Sequence, residues 1–160
     1  MTSMIWAIVF VVSTILMVVV VPRRQVADFL LFGLVGGLGV ALVMLYFFVP
    51  LLGYWRFAPA DILTFQGIPL LLAMAWIPIE IIYGWALTRG EGLAPFLAVI
   101  GFPLAATLGH YGLILNGNLA YAHWSLSKTF LLALFIHAGL AAYILAQVRP
   151  RQAAGSVEPD

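Results

Sequence analysis

The sequence predicts an all-α protein of the polytopic membrane class, a bundle of five transmembrane helices with the N-terminus outside and the C-terminus in the cytoplasm. Of its 160 residues, 64% are hydrophobic and 8% are charged, whereas ordinary soluble domains have roughly 25% charged residues. Five apolar runs approach the length of about 20 residues that a helix needs to cross a bilayer. Most of the Lys and Arg residues fall between or beyond these runs.

Composition excludes several classes of site and partner. The chain has no cysteine, which excludes disulfides, thiolate metal sites and covalent c-type haem. Seven Lys and Arg residues and a net charge of +1 provide no basic patch for a phosphate backbone, so nucleic acid is not an expected partner. No cofactor is predicted. The expected partner is the lipid bilayer.

The first two runs are separated by a Pro-Arg-Arg turn. Run 4–21 ends there, because proline stops a helix and arginine seeks water or headgroups. It lacks the leading basic residues of a signal peptide and is interpreted as a retained helix. Run 29–49 contains Gly33 and Gly37, a spacing that brings two helix backbones into contact. Packing inside the bundle is preferred over a homo-oligomer or a larger membrane complex formed through these glycines.

The remaining runs complete a single transmembrane domain over residues 1–146. They cover residues 67–87, 94–115 and 129–146. Residues 147–160 hold prolines, arginines and small polar residues, and are predicted to form a disordered cytoplasmic tail.

The orientation follows from the positions of the cations, because cytoplasmic loops are enriched in Lys and Arg. Five spans with the N-terminus outside place five arginines in the cytoplasm and two cations outside. This prediction suits a bacterial inner membrane. A four-span alternative makes the third run re-entrant, since it contains two prolines. The inner cations are Arg23, Arg24, Arg89, Arg149 and Arg151, and the outer ones are Arg56 and Lys128.

Both longer connections lie on the predicted outer side and are rich in aromatic residues. An interfacial aromatic belt is the preferred interpretation, and a lid over the bundle is the alternative. Trp55, Arg56, Asp61 and Trp124 are the candidates for contact with a ligand or a headgroup. A surface ion pair between Arg56 and Asp61 is the simpler interpretation of those two charges.

Glu80 is the principal candidate for chemistry, because an ionisable group in the hydrocarbon region is costly. Counted from the predicted ends of the runs, it lies about 20 Å deep, His137 about 12 Å and His110 about 8 Å. Trp76, Glu80 and Tyr83 share a helical face, so that Tyr83 could donate a hydrogen bond to the carboxyl. Glu80 could act as a polar latch between helices, as a proton donor or as a proton relay. The latch is the preferred interpretation.

His110 and His137 are candidate ligand-binding residues. Small residues beside His110 would let a helix or a flat ligand approach, and His137 could face it from the fifth helix. A paired hydrogen bond or separate polar contacts are favoured over a bis-histidine haem, because the two depths differ. No metal site is predicted, since zinc needs a third ligand and Glu80 lies too deep to supply it.

The stretch from Gly53 to Trp85 contains a Trp-x-aromatic-x-Pro loop and a Pro-aliphatic-Glu helix signature, with Ile81 in place of a second glutamate. On these motifs it resembles the small membrane-embedded lycopene cyclase domains of bacteria and fungi. It implies an isoprenoid-handling site. The first half also resembles uncharacterised small five-span bacterial membrane proteins. The matching residues are Trp55, Phe57 and Pro59 in the loop, then Pro78, Ile79 and Glu80 in the helix.

Three functions are expected, in decreasing order. The first is a non-enzymatic accessory or assembly subunit, or a binder of a lipophilic ligand such as a lipid, quinone or carotenoid. The second is an isoprenoid cyclase or isomerase in which Glu80 donates a proton, Tyr83 assists and Trp76 stabilises a carbocation. The third is a proton-coupled carrier of a small solute.

Overall fold

The computed structural model describes residues 4–59, 63–89 and 92–155, and this part of the chain contains five helices. The all-α prediction is confirmed. The helices are α1 (Ile5–Val20), α2 (Arg23–Leu51), α3 (Leu70–Arg89), α4 (Ala94–Leu115) and α5 (Leu126–Gly155).

Four of these helices, α2 to α5, are long and apolar enough to cross a membrane. The helix α1 is apolar but shorter, at 16 residues. Such lengths and compositions are typical of spanning segments, and they indicate a membrane protein.

The helix boundaries agree best with the predictions where the sequence has no competing turn. The helix α4 has the predicted bounds. The helix α3 begins at Leu70 and not at Gly67, because Thr64–Phe65 and Ile68–Pro69 form a hairpin. The two residues between these strands both have positive φ, as the type I′ hairpin turn requires. The helix α5 begins at Leu126 and ends at Gly155, beyond the predicted end at Ala146.

The helix α3 is at the centre of the bundle and contacts all four other helices. Its contact with α2 is made at Gly33 and Gly37, where an added Cβ would lie 2.8 Å from the Ile77 carbonyl oxygen and 2.5 Å from that of Trp76. Only glycine allows the two backbones to come so close. The glycine pair therefore serves packing inside the bundle, as its spacing predicts.

The two longer connections meet at one end of the bundle, which we call the capped end. Strand β1 (Trp55–Phe57), after α2, pairs antiparallel with β4 (Leu119–Tyr121), after α4, and Arg56 lies opposite Ala120. The hairpin strands β2 (Thr64–Phe65) and β3 (Ile68–Pro69) lie in the same connection as β1. Contact between the connections is what the lid interpretation requires.

The buried side chains form two clusters at different depths. One includes Trp6, Phe48 and Trp55 and lies against the capped end. The other surrounds Tyr83 and Ile144 toward the opposite end. Close-packed interiors leave few voids larger than a water molecule, yet a large cavity adjoins both clusters.

Candidate ligand-binding site

The cavity has a volume of about 620 Å³, and residues of all five helices line it. It reaches from Trp55 under the cap to Glu80 in the middle of α3. Its wall is almost entirely apolar, and the polar residues that line it include His110, Thr129 and His137.

One wall of the cavity consists of small residues of α4. Gly101, Ala105 and Gly109 recur every four residues, which places them on one face of the helix, and all three line the cavity. A Cβ added at Gly101 or Gly109 would meet no described atom within 4 Å. The face is therefore smooth and open, and suits contact with a flat or chain-like apolar molecule.

Glu80 and His137 form a polar pair at the deep end of the cavity. Glu80 Oε1 lies 3.3 Å from His137 Nε2, and the two side chains are only 2% and 3% exposed. The separation is within hydrogen-bond range but the alignment is not, so Nε2 forms no hydrogen bond and the contact is electrostatic. His137 also donates from Nδ1 to the Ala133 carbonyl at 2.8 Å, since a carbonyl oxygen can only accept.

The pairing gives Glu80 the contact between helices that the latch interpretation expects, but its partner was not predicted. The predicted depths were wrong because both helix starts were wrong. From the observed starts at Leu70 and Leu126, Glu80 lies about 15 Å deep and His137 about 16 Å deep. The hairpin before α3 and the earlier start of α5 together bring the two depths into agreement.

Tyr83 and Trp76 surround His137 and not the Glu80 carboxyl. The Tyr83 hydroxyl donates to the His137 carbonyl at 2.7 Å, so the expected hydrogen bond to Glu80 is absent. The Tyr83 ring stands edge-on to the imidazole with centroids 4.9 Å apart, and the Trp76 ring lies 6.2 Å away. Of these two aromatic residues, Trp76 lines the cavity.

His110 belongs to a different network, at the capped end. Its Nδ1 lies 2.6 Å from the Tyr121 hydroxyl, which lies 2.6 Å from Thr129 Oγ1. The Trp124 indole donates to the same Thr129 oxygen at 2.9 Å. The two histidines therefore have separate polar partners and do not form the paired hydrogen bond that was the other alternative. Burial raises the pKa of Tyr121, and its hydrogen bond with Thr129 opposes that shift, so its phenol is neutral at physiological pH.

The candidate ligand-contacting residues of the two connections lie in different environments. Trp55 is buried, lines the cavity and stacks on Phe48 with centroids 4.6 Å apart. Trp124 stacks on Tyr54 at 5.7 Å and fastens the cap through Thr129. Arg56 is exposed on β1. Asp61 lies outside the described residues, and so does its expected ion pair with Arg56.

The donor set does not fit a metal ion. Within residues 4–59, 63–89 and 92–155, no three His, Asp or Glu side chains come together as metal ligands would. Glu80 and His137 supply two such groups, and His110 is held by Tyr121.

Several residues of the site were not among the predicted ones. Gly101, Ala105 and Thr129 line the cavity, and the four-residue spacing of small residues in α4 was a signal for the first two. Thr129 carried no such signal, because its role depends on Tyr121 and Trp124 from a separate segment.

Fold and site together define a helical membrane protein with a largely apolar, half-open cavity and a buried carboxyl–imidazole pair. No family of known proteins, no curated protein and no solved structure matches the chain.

Proposed function

We propose that the protein is a five-span protein of the cell membrane that binds a lipophilic ligand, a long or flat apolar molecule of the isoprenoid type, in the cavity beside Glu80. The cavity is the observation that carries this proposal. Its volume of about 620 Å³ falls within the range of about 300–1,000 Å³ found for small-molecule sites. An apolar wall with few polar groups is also typical of such sites.

A subunit that only spans the membrane and packs against other helices does not require this cavity. The cavity is open along its α4 wall, where Gly101, Ala105 and Gly109 are exposed, so a molecule can enter it from outside the bundle. The chain places glycines on the α4 wall where larger side chains would have room.

The proposed topology has the capped end outside. Arg23, Arg24 and Arg89 then lie on the cytoplasmic side, in agreement with the positive-inside rule. The helix α1 is about 24 Å long, shorter than the hydrocarbon core of about 30 Å. Local thinning of the bilayer accommodates such a span at modest cost. Because the chain has no cysteine, single cysteines placed at Arg56 and Arg89 and labelled from outside test this orientation.

Extraction of the bound lipid tests the ligand proposal. The protein is purified in mild detergent, and co-purifying molecules are identified by mass spectrometry. Gly109→Leu puts a side chain into the cavity and should reduce the bound ligand at least tenfold. Gly139→Leu is the matched control, since Gly139 is also a helical glycine with open space around it but lies outside the cavity lining.

The proposal predicts a specific molecule, enriched over bulk lipid, in the wild type and in Gly139→Leu. Equal amounts in all three proteins would contradict it. So would a bound fraction with the composition of the surrounding membrane.

A second candidate is an isoprenoid cyclase or isomerase, and one observation favours it. Trp55, Trp76 and Glu80 line the same cavity, and Trp55 and Glu80 belong to the two motifs that carry the cyclase resemblance. In this reaction the Glu80 carboxyl gives its proton to an alkene carbon, the cation lies against the Trp76 ring, and loss of a proton from an adjacent carbon restores the carboxyl. The proton must first leave the contact with His137, which ranks this candidate second. Unchanged pigment on expression in a lycopene-accumulating host would refute it.

A further inference from the structure

His110 has a ring nitrogen that is both unpaired and accessible. Its Nδ1 takes part in the one hydrogen bond that this side chain makes within the described residues, with the Tyr121 hydroxyl at 2.6 Å. Nε2 makes none, and unlike the Trp55 indole nitrogen it is not fully buried. Within the hydrocarbon region of a bilayer no water supplies the missing partner. Because His110 lines the cavity, Nε2 is a polar atom that a molecule in the cavity can reach.

The hydrogen bonds around Thr129 determine which nitrogen of His110 carries the proton. The Thr129 hydroxyl has one proton and donates it to the Ser125 carbonyl at 3.2 Å, since a carbonyl can only accept. Thr129 Oγ1 then accepts from the Trp124 indole at 2.9 Å and from the Tyr121 hydroxyl at 2.6 Å. Tyr121 has thereby given its own proton to Thr129, so its oxygen accepts from His110 Nδ1.

The opposite direction of this chain satisfies fewer groups. If Thr129 gave its proton to Tyr121, the hydrogen bond to the Ser125 carbonyl would be lost, whereas the first direction keeps all the contacts at once. A charged imidazole is costly in the hydrocarbon region, and no Asp or Glu side chain pairs with His110 within the described residues. The ring is therefore neutral with its proton on Nδ1, which makes Nε2 a bare acceptor.

We infer that the ligand of this cavity is a lipophilic alcohol, an apolar molecule whose hydroxyl donates to His110 Nε2. This inference rests on the proposed function and specifies the ligand class. His110 lies about 8 Å from the capped end of α4. Gly101 lies about 14 Å deeper, so the hydroxyl is held beneath the cap while the apolar body extends along the smooth face of α4. A hydrocarbon leaves Nε2 unpaired, and an ether or ketone oxygen opposes it with further lone pairs.

Binding of a matched pair of probes tests the inference. Geranylgeraniol and its methyl ether share the apolar chain and differ in the hydroxyl donor. Each is titrated against the full-length protein in detergent micelles, and the bound fraction is measured by native mass spectrometry. The alcohol is expected to bind about fivefold more tightly, the factor that corresponds to a typical net hydrogen bond.

Two histidine variants assign the preference to Nε2. His110→Asn keeps an amide that can donate to Tyr121 in the place of Nδ1, but it has no atom in the place of Nε2. Alcohol binding should therefore fall to the level of the ether, while ether binding stays unchanged. His123→Asn is the matched control, because His123 is exposed in the cap and lies outside the cavity lining. This control should keep the full preference.

Nitrogen NMR of the imidazole rings measures the position of the proton and needs no variant at His110. The His110 signals are assigned by exclusion, with His123→Asn and His137→Leu. The expected spectrum has a protonated Nδ1 and a bare Nε2, and the Nε2 signal shifts on addition of the alcohol but not of the ether. A proton on Nε2 overturns the inference, even if His110→Asn fails to fold.

The outcomes separate the inference from the proposed function. Equal binding of alcohol and ether to the wild type overturns the alcohol inference and leaves the lipophilic site in place. A preference that survives in His110→Asn, or that is lost equally in His123→Asn, also overturns it. Failure of both probes to bind overturns the alcohol inference as well, and the proposed function falls with it if Gly109→Leu leaves the co-purified lipid unchanged.

Discussion

The contact between Glu80 and His137 predicts an uneven pair of destabilisations. In Glu80→Leu, His137 keeps its hydrogen bond to Ala133, and only the contact of its Nε2 with the carboxyl is lost. The expected cost is about 1–2 kcal/mol, that of one unsatisfied buried acceptor. In His137→Leu, the Glu80 carboxyl loses its only partner among the described residues while the side chain stays buried. Breaking a buried pair in this way costs about 3–5 kcal/mol in soluble proteins.

The bilayer reduces these values, because an unfolded chain in lipid also finds polar partners. Interhelical hydrogen bonds in a membrane protein couple by about 0.6 kcal/mol on average and about 1.7 kcal/mol at most. The pair here includes an ionisable carboxyl and is almost fully buried, so we expect a coupling energy of about 1.5–3 kcal/mol, close to or above that upper value.

A double-mutant cycle measures this coupling. The wild type, the two single variants and Glu80→Leu/His137→Leu are unfolded by titration of sodium dodecyl sulfate into mild-detergent micelles, and tryptophan fluorescence reports the transition. The double variant should be more stable than His137→Leu alone, because it removes the unpaired carboxyl. Additive single effects, with a coupling energy below about 0.5 kcal/mol, would refute the interpretation of this pair as a latch between α3 and α5.

Two further predictions concern the cap and the helix contact. Tyr121→Phe removes the hydroxyl that joins His110 to Thr129 and should lower the free energy of unfolding by about 1–3 kcal/mol. The control Tyr143→Phe, at an exposed site on α5, should have little effect. Equal effects of the two variants would show that the network does not stabilise the fold. Gly37→Ala places a Cβ 2.5 Å from the Trp76 carbonyl oxygen and should lower the free energy of unfolding by more than about 2 kcal/mol. The control Gly139→Ala lies in open space and should leave that free energy unchanged or raise it by up to about 1 kcal/mol. A stable Gly37→Ala protein in the same titration would mean that α2 and α3 are not in backbone contact.

The sequence predicted the helices well where hydrophobicity alone determines them. The bounds of α4 follow from an apolar run that begins and ends in polar turns. The start of α3 was missed because Ile68 and Pro69 are as apolar as the helix that follows. The turn before these two residues depends on positive φ at Gln66 and Gly67. Hydropathy contains no information about that backbone geometry.

The same error explains what was found and missed at the site. Glu80 could be found because a carboxyl in an apolar helix is expensive wherever its partner lies. Its partner, His137, could not be found from the sequence, because an error of a few residues in two helix starts placed the two side chains at different depths. The pairing of β1 with β4 was out of reach for another reason. It joins segments on opposite sides of α3 and α4 in the sequence, and short strands carry little pattern of their own.

The structure also changes the choice among the roles considered for Glu80. A latch between helices and a contact with a ligand first looked like alternatives, because one carboxyl was assigned one use. Oε1 faces His137 on α5, while Oε2 has no partner within the described residues. The two uses are therefore compatible, since Glu80 contacts His137 across the bundle and also lines the cavity. A proton donor is the role that conflicts with the latch, because donation to a ligand would leave a buried carboxylate, whose desolvation is costly.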